Sequence, residues 1–270
     1  LRFINMGQKV NAIGLRLGVN HDWDSKWFAE QNYATALHKD FITTEFLTRV
    51  YEKDGVLVSR VILKRTFGTT YIFLHLFSPE EGLLKSKVDR TTLEKTLATI
   101  NGTEIELNVV DTIQHTKKRV NTIREISMQL AAYRSRKYFN ESLQAIGTSM
   151  IVKSALLLSK YLARQIESDF RHNQFIDFIK KALPLFLEHL PEVKGVRIQF
   201  KGRLNGSDRS KTQWFKYGQI PFHTIREKID YGYTPAFTLY GACGIKVWIC
   251  FAPNDQENLE KNASSKTGKV

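Results

Sequence analysis

Apolar positions along this chain change period several times, and each change marks an element. From about Asn32 to Tyr51, the residues Ala36, Leu37, Phe41, Phe46, Leu47 and Val50 recur at helical spacing, which predicts a helix. Val56–Leu63 and Thr69–Phe77 are dense in Val, Ile, Tyr and Phe and are separated by Gly68, so they read as two strands. Val88–Ile100 sets Leu93, Leu97 and Ile100 on one side of a second helix, and Asn101-Gly102 supplies its stop. In Thr103–Val110, Ile105, Leu107 and Val109 alternate with Glu104, Glu106 and Asn108, the pattern of a half-buried strand. Helix, strand, strand, helix, strand makes an α+β module over 32–110.

Residues 111–150 change character. Lys117, Lys118, Arg119, Arg124, Arg134, Arg136 and Lys137 are interleaved with Tyr133, Tyr138 and Phe139. The segment is expected to be partly helical and exposed. Two readings stay open for it: phosphate contacts with base stacking, or a solvated insertion face. A long helical pattern then runs from Ser149 to Leu190, with an interruption expected at Pro184. Gly195–Lys201, Thr212–Gly218 and Gly244–Phe251 read as strands, the last with Ile245, Val247, Ile249 and Phe251 alternating with Lys246 and Trp248. This is a second α+β domain. Beyond Pro253 the periodicity ends, and 254–270 is expected to be a flexible tail. At the other end, 1–31 reads as an extended arm, with Lys9 and Arg16 among glycines and with Trp23, Trp27 and Phe28 expected to pack onto something.

Composition adds one strong constraint. The net charge is +13, with 40 Lys and Arg against 27 Asp and Glu. Folding does not call for such an excess, because like charges repel in the compact state. A polyanionic partner explains it, nucleic acid before an anionic membrane surface. No apolar run reaches the ~20 residues of a membrane-spanning helix. Leu1–Asn5 carry no secretory signal. Cys243 and Cys250 share one strand at odd spacing, which puts them on opposite faces, so neither a disulfide nor a shared metal site is expected. The 7 histidines are scattered, and no P-loop, Gly-x-Ser-x-Gly or zinc spacing occurs. No catalytic residue, cofactor or metal is therefore assigned, and the chain is not expected to be an enzyme.

Two segments carry a family resemblance. The first is Met6-Gly-Gln-Lys-Val-Asn-Ala-Ile-Gly-Leu-Arg-Leu-Gly18, followed by Trp23-Asp-Ser-Lys-Trp-Phe28. The second is Gly202-Arg-Leu-Asn-Gly-Ser-Asp-Arg-Ser-Lys-Thr-Gln-Trp214, then Gly218-Gln-Ile-Pro-Phe-His-Thr-Ile-Arg226, Ile229-Asp-Tyr231, and Tyr240-Gly241 through Gly244-Ile-Lys-Val-Trp248. They resemble the opening and closing signatures of the small-subunit ribosomal protein S-three family in its bacterial and organellar form. Between about Pro79 and Pro191 the resemblance is weak.

The resemblance implies an N-terminal type II KH-like domain over 32–110 and a C-terminal α+β domain over 151–253, with the basic insertion 111–150 between them. It implies a structural constituent of the small ribosomal subunit, in its head near the channel by which messenger RNA enters. The implied partners are small-subunit ribosomal RNA, messenger RNA and neighbouring ribosomal proteins, with no membrane. Arg203, Arg209 and Lys211 bring charge for phosphate oxygens, Asn205 and Thr212 neutral hydrogen bonds, and Gly202 and Gly206 room for close backbone approach. Trp214, Phe215 and Tyr217 can pack the loop onto its sheet or stack on a base. His223 and Arg226 follow the Pro221 turn and suit further phosphate contacts, as do Lys9 and Arg16.

The chain also departs from the family. The Gly-x-x-Gly clamp of a KH domain should precede the second helix, yet the residues there are Gly82-Leu-Leu-Lys-Ser-Lys-Val-Asp89. No KH-type RNA site is assigned to them. In the helix that faces the channel, Asn173 and Gln174 stand where the family has an arginine pair. Arg171, Lys180 and Lys181 remain as channel contacts. Expansion over 112–154 and richness in Phe, Ile, Asn and Lys point to a mitochondrial ribosome, with a plastid or bacterial ribosome as the alternative.

Overall fold

The computed structural model describes residues 10–66, 68–78, 89–112, 120–168 and 171–252. The N-terminal domain is built from β1 (Ser25–Lys26), α1 (Tyr33–Lys53), β2 (Leu57–Arg65), β3 (Thr69–Phe77), α2 (Arg90–Asn101) and β4 (Glu104–Asp111). Its sheet has the order β1-β2-β3-β4, with β2 and β3 antiparallel and β3 and β4 parallel. Leu47 and Tyr51 of α1 and Leu93 and Leu97 of α2 close over Ile72, Leu74 and Leu76 of β3 to form one core. Gly102 ends α2 in the left-handed region at φ 70°, its amide donating to the Ala98 carbonyl at 2.7 Å, as the Asn-Gly pair predicts. This is the expected type II KH-like arrangement. The segment that would carry the clamp, 79–88, lies outside the described residues.

The phase of α1 differs from the expectation. Leu37 and Phe41 are 51% and 61% exposed, and Asp40 and Thr43 take the inward positions. Asp40 is buried because it is fully occupied: it accepts from Trp27 Nε1 and from Arg65, whose guanidinium also reaches Asn101 Oδ1 at 2.9 Å. Of the early aromatic cluster, Trp27 packs here beside Tyr33, while Trp23 and Phe28 stay exposed.

The C-terminal domain follows as α3 (Val120–Gln129), α4 (Phe139–Ile151), α5 (Ala155–Ser168), α6 (His172–His189), β5 (Val193–Gly202), β6 (Lys211–Gly218), β7 (Ile229–Thr238) and β8 (Gly241–Phe251). Its sheet is antiparallel with the order β6-β5-β8-β7. Val196, Ile198 and Phe200 of β5 and Ile245, Val247 and Ile249 of β8 face Leu158, Tyr161, Phe175 and Ile179 of the helices. Cys243 lies on that side, and Cys250 lies on the other with Ala12, Ile220, Ile229 and Trp248. Both thiols are free and buried, on opposite faces as their odd spacing requires. The two domains touch where Arg164 Nη1 donates to Gly55 O at 2.6 Å and Lys160 pairs with Glu52 at 3.2 Å.

Several expectations are corrected. The core of this domain does not start at 151. Ile126, Leu130, Tyr138, Phe139, Leu143 and Ile146 belong to it, so much of the expected insertion is structural. Tyr133, Tyr138 and Phe139 pack edge-on or tilted against Phe175 and Phe178 and do not form a stacking surface. Pro184 does not interrupt the long helical segment; it sits inside α6. Its ring leaves one carbonyl without the helical donor, but Ile179, Ala182, Leu183 and Phe186 remain buried across it and hold the helix together. The helical run breaks instead at 152–154, between α4 and α5, and again ahead of His172. The N-terminal arm is extended only in part: Gly14–Arg16 form a short 3-10 turn near the outer face of the C-terminal sheet, where Ala12 packs, whereas Ser25–Lys26 join the N-terminal sheet as β1.

Candidate nucleic-acid interface

One exposed corner gathers most of the expected contacts. After β5 the chain turns through Leu204–Gly206, with Asn205 left-handed at φ 55°. Two bonds tie that turn to the start of α6: the Asn205 amide donates to His172 Nδ1 at 3.1 Å, and the Asn173 amide donates to Asn205 Oδ1 at 3.3 Å. Arg171 directly precedes His172 and so lies at the end of α6 to which the turn is tied. Arg203 Nε donates to the Ser207 carbonyl at 2.8 Å, leaving the outer edge of its guanidinium to solvent. Ser207 Oγ in turn donates to the Arg209 carbonyl at 2.9 Å. Arg209, Lys211 and Thr212 are exposed on the way into β6. Among the described residues the corner holds four cations, Arg171, Arg203, Arg209 and Lys211, and one carboxylate, Asp208.

The glycines here serve packing. A Cβ on Gly202 would stand 2.5 Å from Cys243 Sγ, and one on Gly206 would stand 2.9 Å from the Tyr240 ring. Gly206 also sits at φ 70°. The expectation that both glycines open a path to a phosphate backbone is replaced by contacts within the protein.

At the far end of β6, about 23 Å away along the strand, lies a second group. His223 and Arg226 are exposed in the 221–228 turn. Arg16 holds that turn and does not itself face solvent. Its side chain is 0% exposed: Nε donates to Glu227 O at 2.7 Å, Nη1 to Ala12 O at 3.0 Å, and Nη2 reaches the carbonyls of Pro221, Phe222 and Thr224. Burial lowers its pKa from the usual guanidinium value. The expectation that Arg16 contacts RNA therefore fails: every donor nitrogen is committed to carbonyls inside the fold. Lys9 lies outside the described residues.

The expected channel residues lie along α6. Lys180 pairs with Asp177 at 3.3 Å. The Lys181 ammonium lies 5.2 Å from the Tyr133 ring centroid, and its hydrogen bond with Tyr133 raises its pKa. Arg171 stands a turn or more away at the helix start, so the three belong to one element but not to one cluster. Phe215 is buried and Tyr217 packs at its side, whereas Trp214 points the other way and is exposed.

Sequence reading missed Arg197. Its guanidinium lies 4.9 Å from the Trp214 ring, 5.7 Å from Phe222 and 5.4 Å from Trp248, and burial lowers its pKa. The signal was present: strand alternation puts Arg197, Trp214 and Trp248 on the same face, but only the register shows that they are neighbours.

Nothing in the arrangement resembles a catalytic centre. Burial pushes the Cys250 thiol up to about 11, which keeps it protonated and poorly nucleophilic. Among the described residues no group of three or more His, Cys, Asp or Glu side chains is placed to share a metal ion. None of the helices among the described residues is long and apolar enough to cross a membrane.

The architecture is thus a two-domain α+β protein with a basic, loop-built corner. Comparison with known proteins places it more narrowly. The family model described as ribosomal protein S3, C-terminal domain, matches residues 162–249. The chain is 33% identical over 244 residues to the small ribosomal subunit protein uS3 of Rhodospirillum centenum, covering 90% of this chain and 89% of that one. It is 35% identical over 246 residues to the uS3 of Geotalea uraniireducens, covering 90% and 96%. With the uS3 of Bradyrhizobium diazoefficiens it shares 32% over 246 residues, covering 90% and 84%. The chain belongs to the ribosomal protein S3 family. Membership carries a structural, non-enzymatic role in the small ribosomal subunit.

Proposed function

We propose that this protein binds small-subunit ribosomal RNA through the corner where the Leu204–Gly206 turn meets the start of α6. The observation that carries the reading is the pair of bonds tying Asn205 to His172 and Asn173, which join the turn that follows Arg203 and leads to Arg209 and Lys211 to the end of α6 that Arg171 precedes. Four cations around this junction suit the closely spaced charges of a nucleic-acid backbone, and Arg adds bidentate geometry. Asn205 and Thr212 supply neutral donors. The turn carrying His223 and Arg226 forms a second phosphate contact, positioned by Arg16.

In this reading the same corner faces messenger RNA where it enters the subunit, through Arg171 and, further along α6, Lys180 and Lys181. The last two are partly engaged by Asp177 and Tyr133, and Asn173 and Gln174 add no charge, so the hold on messenger RNA is weaker than the hold on ribosomal RNA. Neighbouring ribosomal proteins complete the environment. The ribosome is mitochondrial; support for this is the residue usage of the chain, including 17 Phe. Fractionation of organelles would check that assignment.

The test of the RNA site is salt dependence. The triple variant Arg203→Ala, Arg209→Ala, Lys211→Ala should lower the slope of log affinity against log salt by about 1 for each phosphate that is no longer neutralised. An unchanged slope on small-subunit ribosomal RNA would overturn the reading.

A further inference from the structure

The C-terminal sheet buries one face under its helices and leaves much of the other open. Its register places side chains in rows that cross all four strands. One row is Lys216, Arg197, Trp248 and Tyr231, and the next is Trp214, Gln199, Lys246 and Tyr233. The docked N-terminal turn and the 220–222 segment roof the end beyond the first row, where Ala12, Ile220 and Phe222 meet Trp248 and Cys250. Among the described residues the second row has no such cover. Trp214 is 58% exposed, Tyr233 is 50% exposed, and Lys246 is exposed between them.

We propose that this open row is a stacking platform for single-stranded RNA: Trp214 and Tyr233 take bases, and Lys201, Lys216 and Lys246 take phosphates. The inference deepens the RNA-binding reading above and rests on it.

Three observations support the platform. The first is rigidity. Both rings stand on hydrogen-bonded strands, and the Arg197 guanidinium, 4.9 Å from the Trp214 ring and 5.4 Å from that of Trp248, holds the exposed indole in place. A ring already fixed loses little entropy when a base lands on it. The second is spacing. Three strand-to-strand steps put Trp214 and Tyr233 about 14 Å apart, with Gln199 between them and the Lys246 ammonium 5.9 Å from the Tyr233 ring centroid, so that a base stacks on the open face of Tyr233 while Lys246 meets the adjoining phosphate.

The third is charge. The two rows hold no Asp or Glu, and the next, Thr212, Lys201, Gly244 and Pro235, holds none either. The one carboxylate of β7, Asp230, turns to the helix side, where it accepts from the Ala155 amide. Among the described residues no salt bridge engages Lys201, Lys216 or Lys246. A protein partner would favour a lysine-poor centre to its interface, whereas a phosphate backbone favours what is found. Stacking also explains why the uncovered apolar groups of the row are rings, since every base has a π-face.

The experiment uses the full chain and a fluorescein-labelled oligouridylate, with an RNA duplex of equal charge as the competitor. Trp214→Leu with Tyr233→Leu should weaken oligouridylate binding at least tenfold, since stacking contributes about 1–3 kcal/mol per base. Trp214→Phe with Tyr233→Phe should restore most of it, and the duplex should compete poorly. Unchanged thermal unfolding of the leucine variant guards against a folding defect. Lys201→Ala with Lys246→Ala, which leaves the rings alone, should lower the salt slope. If the leucine variant binds normally while the Arg203, Arg209, Lys211 variant weakens, the platform falls and the RNA-binding reading stands. If no variant changes binding to any RNA, both fall. If the leucine variant keeps oligouridylate but loses a ribosomal protein from assembled subunits, the face is a protein interface and the inference is overturned.

Discussion

Asp230 on the outer strand β7 accepts a 2.6 Å hydrogen bond through Oδ2 from the Ala155 amide, and so caps the first turn of α5 from the helix-facing side of the sheet. A carboxylate at a helix start meets the positive end of the macrodipole and an orphan amide together. The site is nevertheless closed to water, with Asp230 only 8% exposed. Burial pushes its carboxyl above the usual carboxylate range, against the opposing pull of the Ala155 amide, Arg60 and His21.

That shift has a sign that can be measured. The folded chain holds this proton more tightly than the unfolded chain does. Stability contributed by the group is therefore present at low pH and is lost as pH rises from the ordinary carboxylate range through the folded value. Asp230→Asn keeps an oxygen for the Ala155 amide and removes the charge. The variant should unfold at a higher temperature than the parent at neutral pH, and the difference should shrink as pH falls to about 3. Asp230→Ala, which also removes the cap, should be less stable than Asp230→Asn at both pH values. A neutral-pH loss for Asp230→Asn equal to that of Asp230→Ala would show that the charge itself stabilises the fold.

Arg16 should behave as a buried strut. Its removal would leave the carbonyls of Ala12, Glu227 and the 221–224 turn without donors, in a place water does not reach. Arg16→Ala should cost about 3 kcal/mol in chemical denaturation. Arg16→Lys should recover only part of this, because an ammonium cannot reproduce the fork of the guanidinium. The affinity for RNA of the Arg16→Lys protein should then fall only as far as the 221–226 turn loosens, with the salt slope of the 203–211 corner unchanged.

Gly202 offers a sharper distinction between packing and RNA contact. Gly202→Ala pushes a methyl carbon against Cys243, both at Sγ and at Cα, the latter 3.0 Å away. Overpacking of this kind costs about 1–3 kcal/mol. Cys243→Ala should relieve part of it, so the double variant should be more stable than the sum of the single changes predicts. If Gly202→Ala instead left stability intact and weakened RNA binding, the residue would be needed for close approach to phosphate after all.

Much of the architecture was legible because strand alternation survives burial on one face. Ile245, Val247 and Ile249 face the helices because their neighbours Lys246 and Trp248 do not, and the two cysteines separate by the same parity. β7 escaped notice because Gly232 and Pro235 interrupt its pattern; an edge strand tolerates both where a central strand would not. The phase of α1 misled because Asp40, a residue expected outside, is held inside by Arg65 and Trp27. Arg16 misled for the related reason that a carbonyl cage is assembled from 221–227, some two hundred residues away in sequence. Composition identifies a cation; only the tertiary structure shows what occupies it. The corner itself was readable as far as Arg203, Asn205, Arg209 and Lys211, but its link to α6 rests on His172, whose ring no sequence pattern singles out.

The 111–150 segment, basic enough in sequence to suggest an exposed insertion, gives the last prediction, because its two kinds of residue should behave in opposite ways. Phe139 is 2% exposed and meets Phe178 with ring centroids 5.9 Å apart, in the core that β5 and β8 also build. Truncating such a ring leaves a cavity that close-packed neighbours fill only in part, so Phe139→Ala should cost about 3–5 kcal/mol. Arg134, Arg136 and Lys137 sit a few residues earlier and are exposed. Replacing all three with Ala should leave stability within about 0.5 kcal/mol for each change, as surface substitutions usually do. Denaturant unfolding of the two variants compares them directly. Were the segment a solvated insertion, Phe139→Ala would be as silent as the triple change, and proteolytic removal of 120–150 would leave the C-terminal domain folded. The packing of α4 against α5 and α6 requires the reverse: cutting out 120–150 should unfold the domain, and any weakening of RNA binding should follow from that unfolding and not from the absence of side chains that touch RNA.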